Sequence, residues 1–268
     1  MTLLLAALLG IVQGVTEFLP ISSTAHLLLI AEAVGFDDPG GVFTVMIQLG
    51  SIFAVVWVYR ARLFGVAVEL GTSAEARHFA AAIVVATIPA LVAGALFGDF
   101  IQSVLYKSPR VFAGAFIAGG IIMLLVERLR PAPVVGEAEQ TSLPRALGIG
   151  LCQMLALVPG VSRSGATIIG GLAMRLERSA AAEFSFFVAI PTMSAAFAHE
   201  FLQMHDQLTT ERSAEIAVGF VAAFFSSLLI IKPFLGFVRQ KGFAPFAWYR
   251  IALGLALLAA MGAGWVRG

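Results

Sequence analysis

Stretches without Asp, Glu, Lys or Arg dominate the chain. The long ones cover residues 39–59, 79–98, 111–126, 184–199, 216–231 and 251–266. With its flanks, each reaches the ~20 apolar residues that a spanning helix needs, so the pattern predicts six membrane-crossing helices. Two further apolar regions are interrupted. Residues 1–31 carry Glu17, Pro20 and the polar run Ser22-Ser23-Thr24, and residues 146–174 carry Pro159-Gly160 and Ser162-Arg163-Ser164. Each half of these regions is about 10–16 residues, the length of a re-entrant segment rather than a full span. Irregular backbone at membrane depth is tolerated only where protein or a water-filled cavity covers it. Both regions therefore read as helical hairpins that dip into the membrane and turn back.

A hairpin followed by three spans occurs twice. Moving from Gly10 to Gly150 also carries Gln13 onto Gln153, Ser22 onto Ser162 and Thr24 onto Ser164. Three crossings per half is an odd number, so the second half enters the membrane inverted. The predicted fold is an all-α polytopic membrane protein, an inverted-topology repeat of residues 1–130 and 140–268 within one integral membrane domain. It has two re-entrant hairpins and about six spanning helices. Interrupted segments at corresponding places in two halves are where such folds put their binding site. The longest polar linker, residues 130–144, reads as a surface loop joining the halves.

Composition narrows the class. Of the 268 residues 59% are hydrophobic and 12% charged, with a mean hydropathy of +0.94. A soluble domain carries about 25% charged residues, so these charges cannot coat a water-facing globule. Seventeen basic against sixteen acidic residues leave a net charge of +1, which is no footprint for nucleic acid. The single cysteine, Cys152, excludes an intrachain disulfide and a cysteine metal cluster. No Lys or Arg precedes Arg60, so the opening apolar stretch lacks the basic region of a signal peptide and is expected to remain in the fold. One set of loops holds Arg60, Arg62, Arg77, Arg128, Arg130, Arg145, Arg175, Arg178, Lys232, Arg239 and Lys241; the other holds Lys107, Arg110, Arg212 and Arg267. The positive-inside rule places the rich set in the cytoplasm. The first hairpin then enters from outside and the second from inside.

The interruptions carry the chemistry. Gln13 and Glu17 are four apart, hence on one helix face, and a carboxylate inside apolar sequence marks a functional site. Pro20 ends the first helix, and Ser22, Ser23 or Thr24 can cap the next. That helix N-terminus also offers N–H groups to a phosphate. His26, one turn past Ser23, is placed to exchange a proton with its hydroxyl or with a bound phosphate. Arg163 has apolar sequence on both sides; its planar fork suits phosphate oxygens, or Glu17 when substrate is absent. Gly160 and Gly165 permit close backbone approach, and Ser162, Ser164 and Thr167 add hydroxyls, completing a positive phosphate cradle. Elsewhere, Gly10/Gly14 and Gly119/Gly120 read as close helix packing, His78, His199 and Glu200 as segment ends, and Trp248, Tyr249 and Trp265 as interface anchors. The same architecture would serve a lipid-phosphate carrier that uses these residues for binding alone, or a membrane subunit without chemistry. Hydroxyl, imidazole, carboxylate and arginine at this spacing favour an enzyme.

The stretches Gln13–His26 and Pro159–Thr167 resemble the two signatures of the bacterial undecaprenyl-diphosphate phosphatases of the bacitracin-resistance (BacA/UppP) type, and the resemblance covers essentially the whole chain. It implies hydrolysis of undecaprenyl diphosphate to the monophosphate, which recycles the lipid carrier for cell-wall synthesis and confers bacitracin resistance. It also implies a divalent cation, Mg²⁺ or Ca²⁺, and a bacterial inner membrane location with the site facing the periplasm. By the same resemblance Glu17 is the essential carboxylate and metal ligand, Ser23 the nucleophile or phosphate-contacting serine, His26 the acid/base and Arg163 the essential arginine. Ser22, Thr24, Ser162, Ser164 and Thr167 surround the phosphate. Gln13 stands at the first position of the (E/Q)xxxE motif, where an amide is a weaker ligand for a hard cation than a carboxylate. The partners implied are a polyprenyl diphosphate and the bilayer, and glycine-rich helices would support a homodimer.

Overall fold

The computed structural model describes residues 2–38, 41–106, 108–204 and 210–264. Pro39, Lys107, Trp265, Val266 and Arg267 lie outside the described residues. Eleven α-helices follow in order: α1 Thr2–Thr16, α2 Ser23–Val34, α3 Val42–Val58, α4 Arg60–Glu69, α5 Ala74–Phe100, α6 Pro109–Leu129, α7 Leu143–Met154, α8 Arg163–Ala173, α9 Arg178–Met204, α10 Thr210–Lys241 and α11 Ala244–Gly262. Among the described residues no extended strand forms. Five helices (α5, α6, α9, α10 and α11) are long and apolar enough to cross a membrane. The sixth expected span, residues 39–59, corresponds to α3, which meets α4 at a 72° bend, and the pair counts as one crossing only if taken together. Arg60 and Arg62 begin α4, which has no buried residue, so the apolar run stops where the charges start.

The two interrupted regions are each two short helices with a break between them. α1 ends before Pro20, whose ring cannot continue a helix, and α7 ends before Pro159-Gly160, where Gly160 takes φ 89°. At both breaks the residue that starts the next helix is a serine in left-handed backbone, Ser22 at φ 70° and Ser162 at φ 75°. A β-carbon is rarely tolerated there, so the surroundings must hold these serines in place. Ser162 caps α8, its Oγ accepting the Gly165 N–H at 3.1 Å. Ser22 occupies the same position ahead of α2 without a side-chain cap.

Helix pairing runs across the halves. α1 and α3 pack on α10, α7 and α9 pack on α5, α3 meets α9, and α6 meets α11. Lipid tails supply no hydrophobic drive between helices, so close approach of small residues must do it. Gly10 faces Gly219 and Ala222 of α10, Gly14 faces Ala223 and Ser226, and Gly150 lies on Ala86 of α5. The expected close packing at Gly10/Gly14 and at Gly119/Gly120 is thus present. Gly10→Ala would drive a β-carbon into the Gly219 carbonyl oxygen, a backbone atom that moves only if α1 leaves α10. Such overpacking costs about 1–3 kcal/mol, so a thermal scan in detergent should show a lower unfolding midpoint. A native midpoint would mean that this seam is slack.

The linker between the halves is more than a surface loop. Val135 and Ala138 are buried in the main core, beside Leu176 and Phe184. Glu139 pairs with Arg62, and His78 Nε2 lies 3.1 Å from the Thr141 carbonyl. Arg62 also reaches Glu183 at 2.9 Å, and Arg178 pairs with Glu127. Loops of the basic-rich set therefore meet at one end of the molecule.

Candidate active site

Phe18 pins the first break: it is fully buried, with its ring 5.1 Å edge-to-face from Phe186 of α9. Glu17 keeps its helical bond to the Gln13 carbonyl at 2.9 Å, so its side chain projects from the last turn of α1. That buried carboxylate takes three donors. Oε2 accepts from Ser23 Oγ at 2.7 Å and from Gln13 Nε2 at 2.9 Å, and Oε1 accepts from Arg163 Nη2 at 2.8 Å. The first and second breaks are thus joined by an ion pair between residues 146 positions apart.

Arg163 is held from behind. Its Nη1 donates to the Ser185 carbonyl of α9 at 2.9 Å, and Thr167 Oγ1 lies 2.7 Å from Ser185 Oγ and 2.9 Å from the Arg163 carbonyl. A second link crosses the breaks where Ser164 Oγ donates to the Leu19 carbonyl at 3.0 Å. Ser162 Oγ sits 3.1 Å from Ser164 Oγ.

Between the breaks lies a cavity of about 140 Å³. A water takes ~30 Å³ of liquid volume, so the space suits a few waters or a small polar group, not a prenyl chain. Glu17, Ser22, Ser23 and Thr24 line it from the first break, and Ser162, Arg163 and Ser164 from the second. Ala156, Pro159 and Gly160 of the second break, Gln48 of α3, Met193 of α9 and Tyr106, just before α6, complete the wall. Of the residues expected at the phosphate, Thr167 stands behind Arg163, and Gln13, expected as a weak metal ligand, stands behind Glu17.

His26 takes a different place from the one its spacing implied. Its Nδ1 lies 2.8 Å from the Ser22 carbonyl, so Nδ1 carries a proton, and its Nε2 lies 2.7 Å from the Tyr249 hydroxyl. The two rings stack with centroids 5.7 Å apart. The group that touches the Ser23 hydroxyl is Glu17. Tyr249 is accordingly more than an interface anchor, since its hydroxyl turns inward.

The donors at this site bear on a divalent cation. Among the described residues no group of three His, Cys, Asp or Glu side chains could hold one. The site does fit a cation bound partly by substrate, because Mg²⁺ commonly takes one or two carboxylates plus phosphate oxygens. Glu17 supplies the carboxylate. Gln13 gives its amide nitrogen to Glu17, and its Oε1 is buried without a hydrogen-bond partner.

Four contributors escaped the linear reading. Gln48 and Ser185 sit inside apolar runs with nothing local to single them out, and Tyr249 passes for an interface anchor. Arg250 borders the run that starts at residue 251 and passes for a flanking charge, yet it is 1% exposed.

Fold and site define a polytopic membrane protein whose two broken helices bring a carboxylate, a serine and an arginine around a small polar cavity. Residues 6–256 match the family described as Bacitracin resistance protein BacA, and the chain belongs to that family. It is 49% identical over 256 residues to Undecaprenyl-diphosphatase 1 of Agrobacterium fabrum, covering 96% of each chain. It is 50% identical over 250 residues to Undecaprenyl-diphosphatase 2 of Paramagnetospirillum magneticum, covering 93% of this chain and 95% of the relative. It is 47% identical over 264 residues to an undecaprenyl-diphosphatase of Cereibacter sphaeroides, covering 98% of each.

Proposed function

We propose that this chain is a membrane phosphatase that hydrolyses undecaprenyl diphosphate to undecaprenyl phosphate and inorganic phosphate, recycling the lipid carrier and conferring bacitracin resistance. The observation that carries the mechanism is the contact of Glu17 with both Ser23 and Arg163 at the cavity wall. The terminal phosphate enters the cavity, and Arg163 holds its oxygens as charge develops in the transition state. Ser23 Oγ attacks the terminal phosphorus while Glu17 takes the hydroxyl proton. The anhydride P–O bond breaks, undecaprenyl phosphate leaves, and water then hydrolyses the phosphoserine. His26 reaches this chemistry through the Ser22 peptide rather than through the Ser23 hydroxyl. Glu17 and the diphosphate oxygens would hold the divalent cation, and Gln13 Oε1, buried without a partner behind Glu17, is a further oxygen beside that carboxylate. When bound, that cation neutralises diphosphate charge.

The finer architecture belongs to the same proposal. The pairings α1 on α10 and α7 on α5, or α3 on α10 and α9 on α5, exchange places when the halves are swapped. Ser22 and Ser162 likewise share a positive φ. Both support an inverted repeat of residues 1–130 and 140–268 with re-entrant helix pairs. Tyr106, beside the basic-poor loop, borders the cavity, which supports an inner-membrane protein with its site open to the periplasm.

Detergent-purified protein should release phosphate from undecaprenyl diphosphate with Mg²⁺ or Ca²⁺, stop on chelation and resume when metal is restored. Intact substrate after incubation of folded, metal-supplied protein would sink the phosphatase and leave a carrier.

A further inference from the structure

Arg250 of α11 is the largest fully buried side chain among the described residues, and among them no carboxylate pairs with it. Its guanidinium donates only to main-chain carbonyls: Nη1 to Pro20 at 3.1 Å and Val161 at 2.8 Å, and Nη2 to Ala115 at 2.9 Å and Gly160 at 3.0 Å. It also lies over the Phe116 ring, 5.8 Å from the centroid. Three of the four carbonyls belong to the two breaks, outside any α-helix. Breaking a helix leaves carbonyls without their usual N–H partners, and at membrane depth water cannot replace them. A buried cation has the opposite deficit, since it needs oxygen ligands to replace its hydration. The two terminal nitrogens and these carbonyls meet each other's need, while Arg250 Nε is buried without a partner.

Resting on the phosphatase reading above, we infer that Arg250 is a positioning residue: it locks the two breaks in register so that Glu17, Ser23 and Arg163 meet at the cavity. The geometry ties it to the site directly. Gly160 both lines the cavity and gives its carbonyl to Nη2. A trans peptide points its C=O and the following N–H in opposite directions. With the Val161 carbonyl on Nη1, the N–H of the cavity residue Ser162 is turned away from the guanidinium. One planar, five-donor group reaches four acceptors, whereas a lysine ammonium is a point charge with three donors and cannot span them. The shape of α6 confirms the fit. A β-carbon on Gly119 would strike Nη2, so α6 leaves room for this side chain.

Two variants test the inference by different routes. Arg250→Lys keeps the charge and loses the fork. Gly119→Ala keeps the arginine and pushes it aside, while improving the helix propensity of α6. Each is compared with the native chain for kcat, KM, thermal midpoint and peptide-level hydrogen exchange. We expect kcat to fall about 100-fold, as for a misplacement of about 1 Å, with KM within about threefold, the pattern of an interaction needed only in the transition state. Extra exchange should appear at residues 18–24 and 158–166 and not in α3, α5 or α10. A kcat within about threefold of native in both variants overturns the inference. So does a rise in KM at unchanged kcat, which would make Arg250 a binding contact, or exchange that rises throughout the bundle, which would make it a general fold element. If the native chain itself releases no phosphate, the assigned activity fails, and exchange confined to the two breaks still decides what Arg250 does.

Discussion

Arg163→Met is expected to release phosphate from undecaprenyl diphosphate about 10³-fold more slowly than the native chain, the scale of losing a charged transition-state donor. It is also expected to be less stable. Glu17 and Arg163 face each other at 2.8 Å with side chains 5% and 14% exposed. Removing one partner of a buried pair leaves the other charge uncompensated, at about 3–5 kcal/mol. Glu17→Gln together with Arg163→Met removes both charges, so this double variant should regain most of the lost thermal midpoint and none of the activity. Phosphate release and a thermal scan on the same samples make the comparison. An Arg163→Met protein that retains more than about a tenth of native activity would show that the guanidinium serves the fold and not the phosphate.

Ser23→Ala should be the more severe loss in turnover, about 10⁴-fold, as expected when a nucleophile disappears. KM should change little, because the hydroxyl is engaged with Glu17 at 2.7 Å before substrate arrives. Stability should change little as well: Glu17 keeps the Gln13 amide and the Arg163 guanidinium as donors. Acid quenching during turnover, followed by peptide mass measurement, should find phosphate on Ser23 in the native chain. Substantial release by Ser23→Ala, with no phosphoserine in the native chain, would transfer the attack to water and leave Ser23 as a substrate contact.

Much of this arrangement was legible along the chain because its causes are local. Prolines, short polar runs and short apolar halves belong to single segments, so the two breaks and most of the spans could be placed from the sequence. The cost of a charge in apolar surroundings is local too, which is why Glu17 and Arg163 stood out. The bend after α3 followed a visible pair of arginines, yet only the folded chain shows how far it turns.

Partnership is not local. Pairing Glu17 with Arg163, or seating Arg163 on Ser185, depends on how α1, α8 and α9 pack, and no spacing rule encodes that. One helical turn separates His26 from Ser23, but the ring's bonds are set by the Ser22 carbonyl and by Tyr249, which is 223 positions away. Arg250 is the clearest case. As a charge bordering an apolar run it looks like an interface residue, and it becomes tolerable inside the bundle only because two breaks and α6 converge to offer four carbonyl oxygens. Local sequence alone dictates where helices break and which charges are costly enough to matter. The tertiary structure decided which group satisfies which, because a buried polar group is stable only through partners that distant segments bring to it.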